Sequence, residues 1–229
     1  MTGKQLRLAR EQKGWTQKQA VPKLGVSQPY LSLLESGERP VSERLARKAA
    51  NAYGVSASAL PLNPDASKVR YTDETTLARD LAALGYPGFS YLKTRRKKNP
   101  AETVLSVLSA KNLNSRLTEA LPWVLFTYPD LNWQWLVQAA NANLLQNKLG
   151  FLTNLARRIA ERNGEHSTAA LLREKELSLE QSLLLREDTL SNAPLKNAER
   201  QWLMANRPVE AKNWRVLTDL VPEHLSYVS

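Results

Sequence analysis

The segment that follows Ser27 carries side chains suited to contacts with a DNA duplex. It combines an amide, a hydroxyl and three largely apolar groups in one short stretch: Gln28, Pro29, Tyr30, Ser32 and Leu33. A glutamine amide can form two hydrogen bonds to adenine in the major groove, and a serine hydroxyl can bond a base or a phosphate. The apolar groups can contact a thymine methyl group or a sugar, although Leu33 can equally pack against its neighbours. These residue types predict recognition rather than reaction.

Reaction chemistry finds little support elsewhere in the sequence. The chain has no cysteine, and its two histidines, His166 and His224, lie far apart and outside any metal-binding spacing. The sequence shows no glycine-rich phosphate loop, nucleophile elbow or paired-acid motif. We therefore expect no metal site, no cofactor and no enzymatic activity.

Capping residues predict the helices that must hold the Ser27 segment. Thr2 and Thr16 each precede a short helical pattern, and Gly25 ends the second helix just before Ser27 caps a third. So few residues separate the second and third helices that they must meet at a steep angle, which is helix-turn-helix geometry. Pro22 lies inside the second helix and predicts that this helix is kinked or begins late.

The third helix is predicted to have two different faces. Leu31 and Leu34 recur at a helical spacing and indicate the side that faces a small core. The other sides of this helix, which can reach a groove, then carry Gln28, Pro29, Tyr30, Ser32 and Leu33.

Two stretches resemble a known family over about residues 2–62. They are TQKQAVPKLGVSQPYLSLLESGERP and LARKAANAYGVSASAL. Both are similar to the repressor/Cro type of helix-turn-helix, often called the XRE family. The landmarks are Gln17, Ala20, the Gly25-Val26-Ser27 turn and the Glu35-Ser36-Gly37 helix end. The resemblance implies a five-helix domain whose third helix recognises double-stranded DNA.

The resemblance also implies roles for individual residues. It makes Gln28 the leading base-reading residue, because such motifs touch bases at the start of the recognition helix. It pairs Arg10 with Glu35 as a structural link between the first and third helices. Family members contact phosphates from the second helix N-terminus and from the loop after the recognition helix. The matching residues are Gln17, Lys18, Ser27, Arg39 and Arg44. The alternative for each basic residue is a solvated surface charge.

Charge supports a polyanionic partner. The chain carries a net charge of +10 with an isoelectric point of about 9.9. Residues 1–62 hold ten basic and four acidic side chains, so the positive charge is densest there. A surplus of this kind is typical of proteins that bind phosphate polymers.

The remaining chain is predicted to be helical. Residues 63–72 lack helical periodicity and are expected to form a linker. Helices are predicted to start at Thr72 or Asp73, Asn99, Ser115 and Asn132, with further helices near residues 147–163, 167–190 and 195–206. The expected fold is all-α, with a helix-turn-helix domain at residues 1–62. A larger helical bundle at residues 73–229 would serve dimerisation or partner binding.

Three segments of this region have two interpretations each. The aromatic residues between positions 120 and 136 are expected to form core or a dimer interface, the alternative being a ligand cage or a base-stacking platform. The basic run at residues 93–98 is expected to be a solvated loop, the alternative being a further contact with a DNA or RNA backbone. Residues 172–188 are a candidate for a long exposed helix that pairs with a second subunit. Glu174, Glu176 and Glu180 would give that helix an acidic patch.

These observations predict a sequence-specific DNA-binding transcriptional regulator, a homodimeric (auto)repressor that docks on paired half-sites of an operator. The alternative is an antitoxin-like protein whose helical domain neutralises or senses a protein partner, and which regulates its own operon. A third interpretation is a small effector bound at the aromatic segment. The sequence lacks a long apolar run and a signal-peptide pattern, so we expect no membrane contact and a cytoplasmic location.

Overall fold

The computed structural model describes residues 1–63, 72–92, 97–110, 113–191 and 195–225. The chain divides into two compact units, the N-terminal unit Met1–Asn63 and the C-terminal unit Pro64–Ser229. Within the described residues, twelve α helices and one pair of two-residue strands form the regular structure. The predicted all-α class is confirmed.

Four α helices and one 3-10 turn form the N-terminal unit. The helices are α1 Gly3–Gln12, α2 Gln17–Leu24, α3 Gln28–Ser36 and α4 Glu43–Tyr53, and the turn is Ala57–Ala59. The fifth element is therefore a single turn. Leu60 takes an extended conformation directly before Pro61, which disfavours a helical backbone at the preceding residue.

Local hydrogen bonds explain where these helices begin and end. The hydroxyls of Thr2 and Thr16 accept from the backbone N–H groups three residues later, and both caps are reciprocal capping boxes. Ser27 caps α3 through its own hydroxyl. Gly25 has a φ of 66°, a left-handed conformation that favours glycine, so α2 can stop two residues before the Ser27 cap.

Pro22 is accommodated within α2. The helix begins at Gln17, directly after its cap, and continues past the proline to Leu24, so it does not begin late. Pro22 lies on the exposed side of the helix. The carbonyl group that loses its helical partner can therefore be solvated, which reduces the cost of an interior proline.

The C-terminal unit is built from eight helices among the described residues. They are α5 Glu74–Leu84, α6 Pro100–Ser109, α7 Ser115–Thr127, α8 Trp133–Ala142, α9 Gln146–Arg162, α10 His166–Glu180, α11 Asn197–Asn206 and α12 Val209–Asn213. Helix α9 is central, because its first eleven residues are all buried. Strands β1 Asp188–Thr189 and β2 Val216–Leu217 pair in parallel.

The caps of these helices follow the sequence closely. Asp73, Asn99 and Asn132 each accept a backbone hydrogen bond at the start of a helix, as predicted. The cap of α7 is Asn114 and not Ser115, so that prediction was wrong by one residue. An asparagine side chain is at least as good a cap as a serine, and here it lies one position earlier.

The long helix predicted to extend through residue 188 ends at Glu180. The next segment is held instead by α9, where the Asn147 side chain donates to the Leu184 carbonyl at 2.9 Å and accepts from the Leu184 N–H at 2.8 Å. Lys148 is 1% exposed and forms a salt bridge with Asp188 in β1, with an Nζ–Oδ2 distance of 3.1 Å. These long-range contacts override the local helical preference.

The predicted acidic patch on this helix is wrong for Glu176, whereas Glu174 and Glu180 are exposed as predicted. Glu176 is 3% exposed, and its carboxylate accepts hydrogen bonds from Asn154 and Arg157 across the α9–α10 interface. Arg173 approaches it from the neighbouring turn at 3.2 Å. Glu176 therefore belongs to a buried polar network, and it does not extend the exposed acidic surface.

The aromatic segment packs largely into the C-terminal unit. Trp123 contacts Tyr86 and Tyr128 edge to face, with ring centroids 5.6 and 6.3 Å apart. The Tyr128 hydroxyl donates to the Leu84 carbonyl at 2.6 Å, and the Trp133 indole N–H donates to the Pro129 carbonyl. These partners favour the core interpretation over a ligand cage.

The predicted linker and basic run fall mainly on residues that the structure does not describe. Residues 64–71 of the linker and residues 93–96 of the basic run lie outside the described ranges. Of the two described lysines at the end of the run, Lys98 forms a salt bridge with Asp80 of α5, with an Nζ–Oδ2 distance of 2.5 Å.

Candidate nucleic-acid interface

Helix α3 separates a buried face from an exposed face, as its sequence predicts. Leu31 and Leu34 are fully buried against α1, α2 and α4. The opposite sides of the helix are open: the exposed residues are Gln28, Pro29, Tyr30 and Ser32, and Leu33 is half-buried. Gln28 and Ser32 lie one turn apart on the same side of the helix, and Tyr30 lies on another exposed side. An amide, a hydroxyl and a phenol are thus open to solvent, as on a helix that enters a groove.

Close backbone contact fixes α3 against the start of α1. A Cβ atom added at Gly3 would lie 2.0 Å from the Leu34 carbonyl oxygen and 3.2 Å from that of Glu35. Only glycine therefore permits α1 to approach the end of α3 so closely. Helix α3 is therefore positioned by backbone as well as by side chains.

A buried ion pair joins the same two helices. Arg10 Nε donates to Glu35 Oε1 at 2.7 Å, and its Nη2 donates to Glu35 Oε2 at 2.9 Å. Both residues are less than a tenth exposed. Arg10 Nη1 also donates to the Trp15 carbonyl at 2.7 Å, so one guanidinium ties α1, α3 and the α1–α2 loop together.

Gln17 also binds Glu35, and the sequence did not indicate this contact. Its Nε2 donates to Glu35 Oε2 at 3.0 Å, and the side chain is half-buried. The Gln17 side chain is thus engaged within the protein, and its backbone N–H, which has no helical acceptor in the first turn of α2, is the group that would serve the predicted phosphate contact. The side chain holds α2 against α3.

The other predicted phosphate contacts lie on the surface. Lys18, Arg39 and Arg44 are exposed, whereas the Ser27 hydroxyl accepts from the Tyr30 N–H at 3.4 Å as the cap of α3. The Arg39 backbone N–H donates to the Leu33 carbonyl at 3.0 Å, which fixes the start of the loop after α3. The surface of the N-terminal unit therefore combines basic side chains with the exposed face of α3.

Tyr53 lies behind the ion pair and lacks a hydrogen bond. Its hydroxyl is buried without a partner among the described residues, and its ring packs edge to face on Trp15. Burial, reinforced by the negative charge of Glu35, raises the pKa of Tyr53 to about 12. The sequence placed Tyr53 only as part of the fourth helix.

Tyr53 should make the N-terminal unit sensitive to alkali. The unfolded chain releases the phenol proton near pH 10.0 and the folded chain near pH 12, so the free energy of unfolding falls as the pH rises through this window. We expect Tyr53→Phe to reduce this fall and to leave stability at pH 7 unchanged or higher, because the orphan hydroxyl is removed. Urea unfolding followed by NMR signals of the N-terminal unit measures both. Tyr30→Phe, at an exposed position, is the control and should unfold as the wild type does. If the free energy of unfolding of Tyr53→Phe decreased at alkaline pH as much as that of the wild type, Tyr53 would not be the group responsible.

The described part of the chain holds neither a metal-binding cluster nor a membrane-spanning helix. No group of three histidine or acidic side chains there is arranged to hold a metal ion. No helix among these residues is long and apolar enough to span a membrane.

Comparison with known proteins identifies the N-terminal unit alone. No curated protein and no solved structure matches the chain. An N-terminal helix-turn-helix suggests a DNA-binding regulator. Residues 3–62 match a family model described as a helix-turn-helix domain, and with the packing of α2 and α3 this match identifies them as a helix-turn-helix domain of the repressor/Cro kind.

Proposed function

We propose that the protein is a transcriptional regulator that reads a specific DNA sequence by placing α3 in the major groove. One observation carries the proposal: the exposed face of α3 is held rigidly on its buried side by Arg10, Glu35 and Gln17. A helix fixed in this way presents base-reading side chains without a further ordering cost on binding.

Within this arrangement, Gln28 is the principal base-reading residue. Its exposed amide lies in the first turn of α3, and two hydrogen bonds to adenine would satisfy it. Tyr30 is 40% exposed and can cover a thymine methyl or a sugar, and Ser32 can bond a base or a phosphate. The half-buried Leu33 has limited free surface for a thymine contact.

Basic residues around α3 would set affinity and position. Lys18, Arg39 and Arg44 supply charge for phosphates, and the first turn of α2 supplies backbone N–H groups. Each neutralised phosphate releases counterions, so affinity should fall steeply with salt.

We further propose that the protein is a homodimeric (auto)repressor that binds DNA half-sites about one helical turn apart. An antitoxin-like or partner-sensing role is the second candidate. The large apolar side chains that the C-terminal unit exposes include Leu144, Leu177 and Leu185, which are 47%, 46% and 81% exposed. Burial of these side chains against a protein partner would remove apolar surface from water. Co-purification with the product of a neighbouring gene tests this role, and failure of every neighbour to bind counts against it.

Fluorescence anisotropy on the DNA upstream of the gene, against a shuffled duplex of equal length, tests the main proposal. We expect a selectivity of roughly a thousandfold at moderate salt, as specific complexes show. Equal and weak binding of both duplexes would refute sequence reading by this domain.

Two substitutions should separate base reading from phosphate contact. Gln28→Ala should cost roughly 1–3 kcal/mol on the operator and relax one base position. Arg39→Ala should weaken binding to all sequences and lower the salt slope by about one. Gln134→Ala and Arg200→Ala, at exposed positions of the C-terminal unit, are the matched controls. Unchanged selectivity in Gln28→Ala would remove this residue from the site.

A further inference from the structure

The C-terminal unit contains a cavity whose charge is opposite to that of the chain. The cavity has a volume of about 440 Å³ and lies between the start of α7, helix α11 and the segment from β2 to His224. Its lining among the described residues includes three carboxylates, Glu119, Glu199 and Asp219, and no lysine or arginine. The whole chain, by contrast, carries 32 basic and 22 acidic side chains. The volume is in the range of small-molecule sites, roughly 300–1,000 Å³.

The cavity also has an apolar wall and an exposed indole. Four buried leucines contribute to the lining: Leu190, Leu203, Leu217 and Leu220. Trp202 of α11 lines the same space and is 53% exposed. An indole face with this much free surface attracts cations as well as apolar groups.

Two of the carboxylates are available to a ligand. Within the described ranges neither Glu199 nor Asp219 forms a salt bridge, and both are exposed. Buried carboxylates elsewhere in the chain, such as Glu35 and Glu176, each have an arginine partner. Within the described residues, the charges of Glu199 and Asp219 are therefore not neutralised by the protein itself.

We propose that this cavity binds a small organic cation with an apolar body, such as an aryl-alkyl ammonium. The ammonium group would lie among the carboxylates, and the hydrocarbon would cover the leucines and the Trp202 ring. An anion would be repelled by the same carboxylates. A metal ion lacks a suitable site, because these carboxylates do not form a group that could hold one.

Calorimetry of the full chain with three matched probes tests the proposal. The probes are 3-phenylpropylammonium, 3-phenylpropan-1-ol and 3-phenylpropanoate, which share one apolar body and differ in charge. We expect the ammonium to bind at least about tenfold more tightly than the alcohol, and the carboxylate to bind more weakly than both. Equal affinities of the ammonium and the alcohol, or no ammonium binding at millimolar concentration, would overturn the proposal.

Variants locate the binding. The double variant Glu199→Gln/Asp219→Asn should reduce the affinity for the ammonium to that for the alcohol. Trp202→Leu should weaken ammonium binding more than alcohol binding. The control Glu38→Gln/Glu174→Gln removes two exposed charges elsewhere and should behave as the wild type. A preference for the ammonium that survives in the first double variant, with its unfolding temperature unchanged, would place the binding outside this cavity. The test uses no DNA, so its result is independent of the DNA-binding proposal.

Discussion

Glu35→Gln is expected to destabilise the N-terminal unit by about 3–5 kcal/mol, because it leaves the buried Arg10 guanidinium without its counter-charge. Domains of this size are stable by only about 5–15 kcal/mol in total, so operator binding should be lost with the fold at physiological temperature. Urea unfolding followed by NMR signals of Leu31 and Leu34 measures the loss. Glu38→Gln, on the exposed loop after α3, is the matched control and should cost less than about 0.5 kcal/mol.

A second variant separates charge from packing at this pair. Arg10→Met with Glu35→Leu replaces both partners by apolar groups of similar size, and such replacements are often neutral or stabilising. We expect this variant to be markedly more stable than Glu35→Gln. It also removes the acceptor of Gln17, so α2 loses its link to α3 and operator affinity should remain reduced in a folded domain. A Glu35→Gln variant within about 1 kcal/mol of the wild type would show that the pair contributes little.

Trp214→Ala should destabilise the C-terminal unit by about 3–5 kcal/mol, the usual cost of truncating a buried tryptophan. Trp214 is 3% exposed, and its ring packs directly on the backbone of α9 at Gly150. A Cβ atom at Gly150 would lie 2.1–2.4 Å from three atoms of the ring. Thermal unfolding followed by circular dichroism measures the loss.

Gly150→Ala tests whether this contact is specific. In the wild type the added methyl group must displace the ring, and overpacking of this kind costs about 1–3 kcal/mol. In the Trp214→Ala background the methyl group has space, and alanine favours a helix over glycine by about 1 kcal/mol. The same substitution should therefore reverse its sign. Additive effects of the two substitutions would contradict the close contact.

The parts of the fold that depend on local sequence could be predicted. The caps Thr2, Thr16 and Ser27 act through backbone groups within three residues, so their effect is visible in the sequence itself. The core side of α3 followed from helical spacing for the same reason. In the C-terminal unit Asn132 was predicted in the same way, and the sequence narrowed the cap of α5 to Thr72 or Asp73, of which Asp73 is the cap.

The parts of the fold that depend on distant residues could not be predicted from the sequence. Helix α10 ends at Glu180 because Asn147, more than thirty residues earlier, binds the backbone of the next segment. Glu176 looks exposed in the sequence, because its partner Arg157 lies on another helix. Gln17 was expected to face a phosphate, yet its side chain is held by Glu35. Each case depends on which distant side chains are in contact in the folded protein. The spacing of residues along the chain does not show this.

The hydrogen bonds on the buried side of α3 have a consequence for the rate of association with DNA. Arg10, Glu35 and Gln17 hold this helix in the free protein, so under the proposed function nearly every encounter with DNA would meet a surface already in its bound conformation. Association would then be governed by diffusion and by long-range attraction between the basic unit and the duplex. Different DNA sequences would be found equally quickly, and the time spent on each would distinguish them.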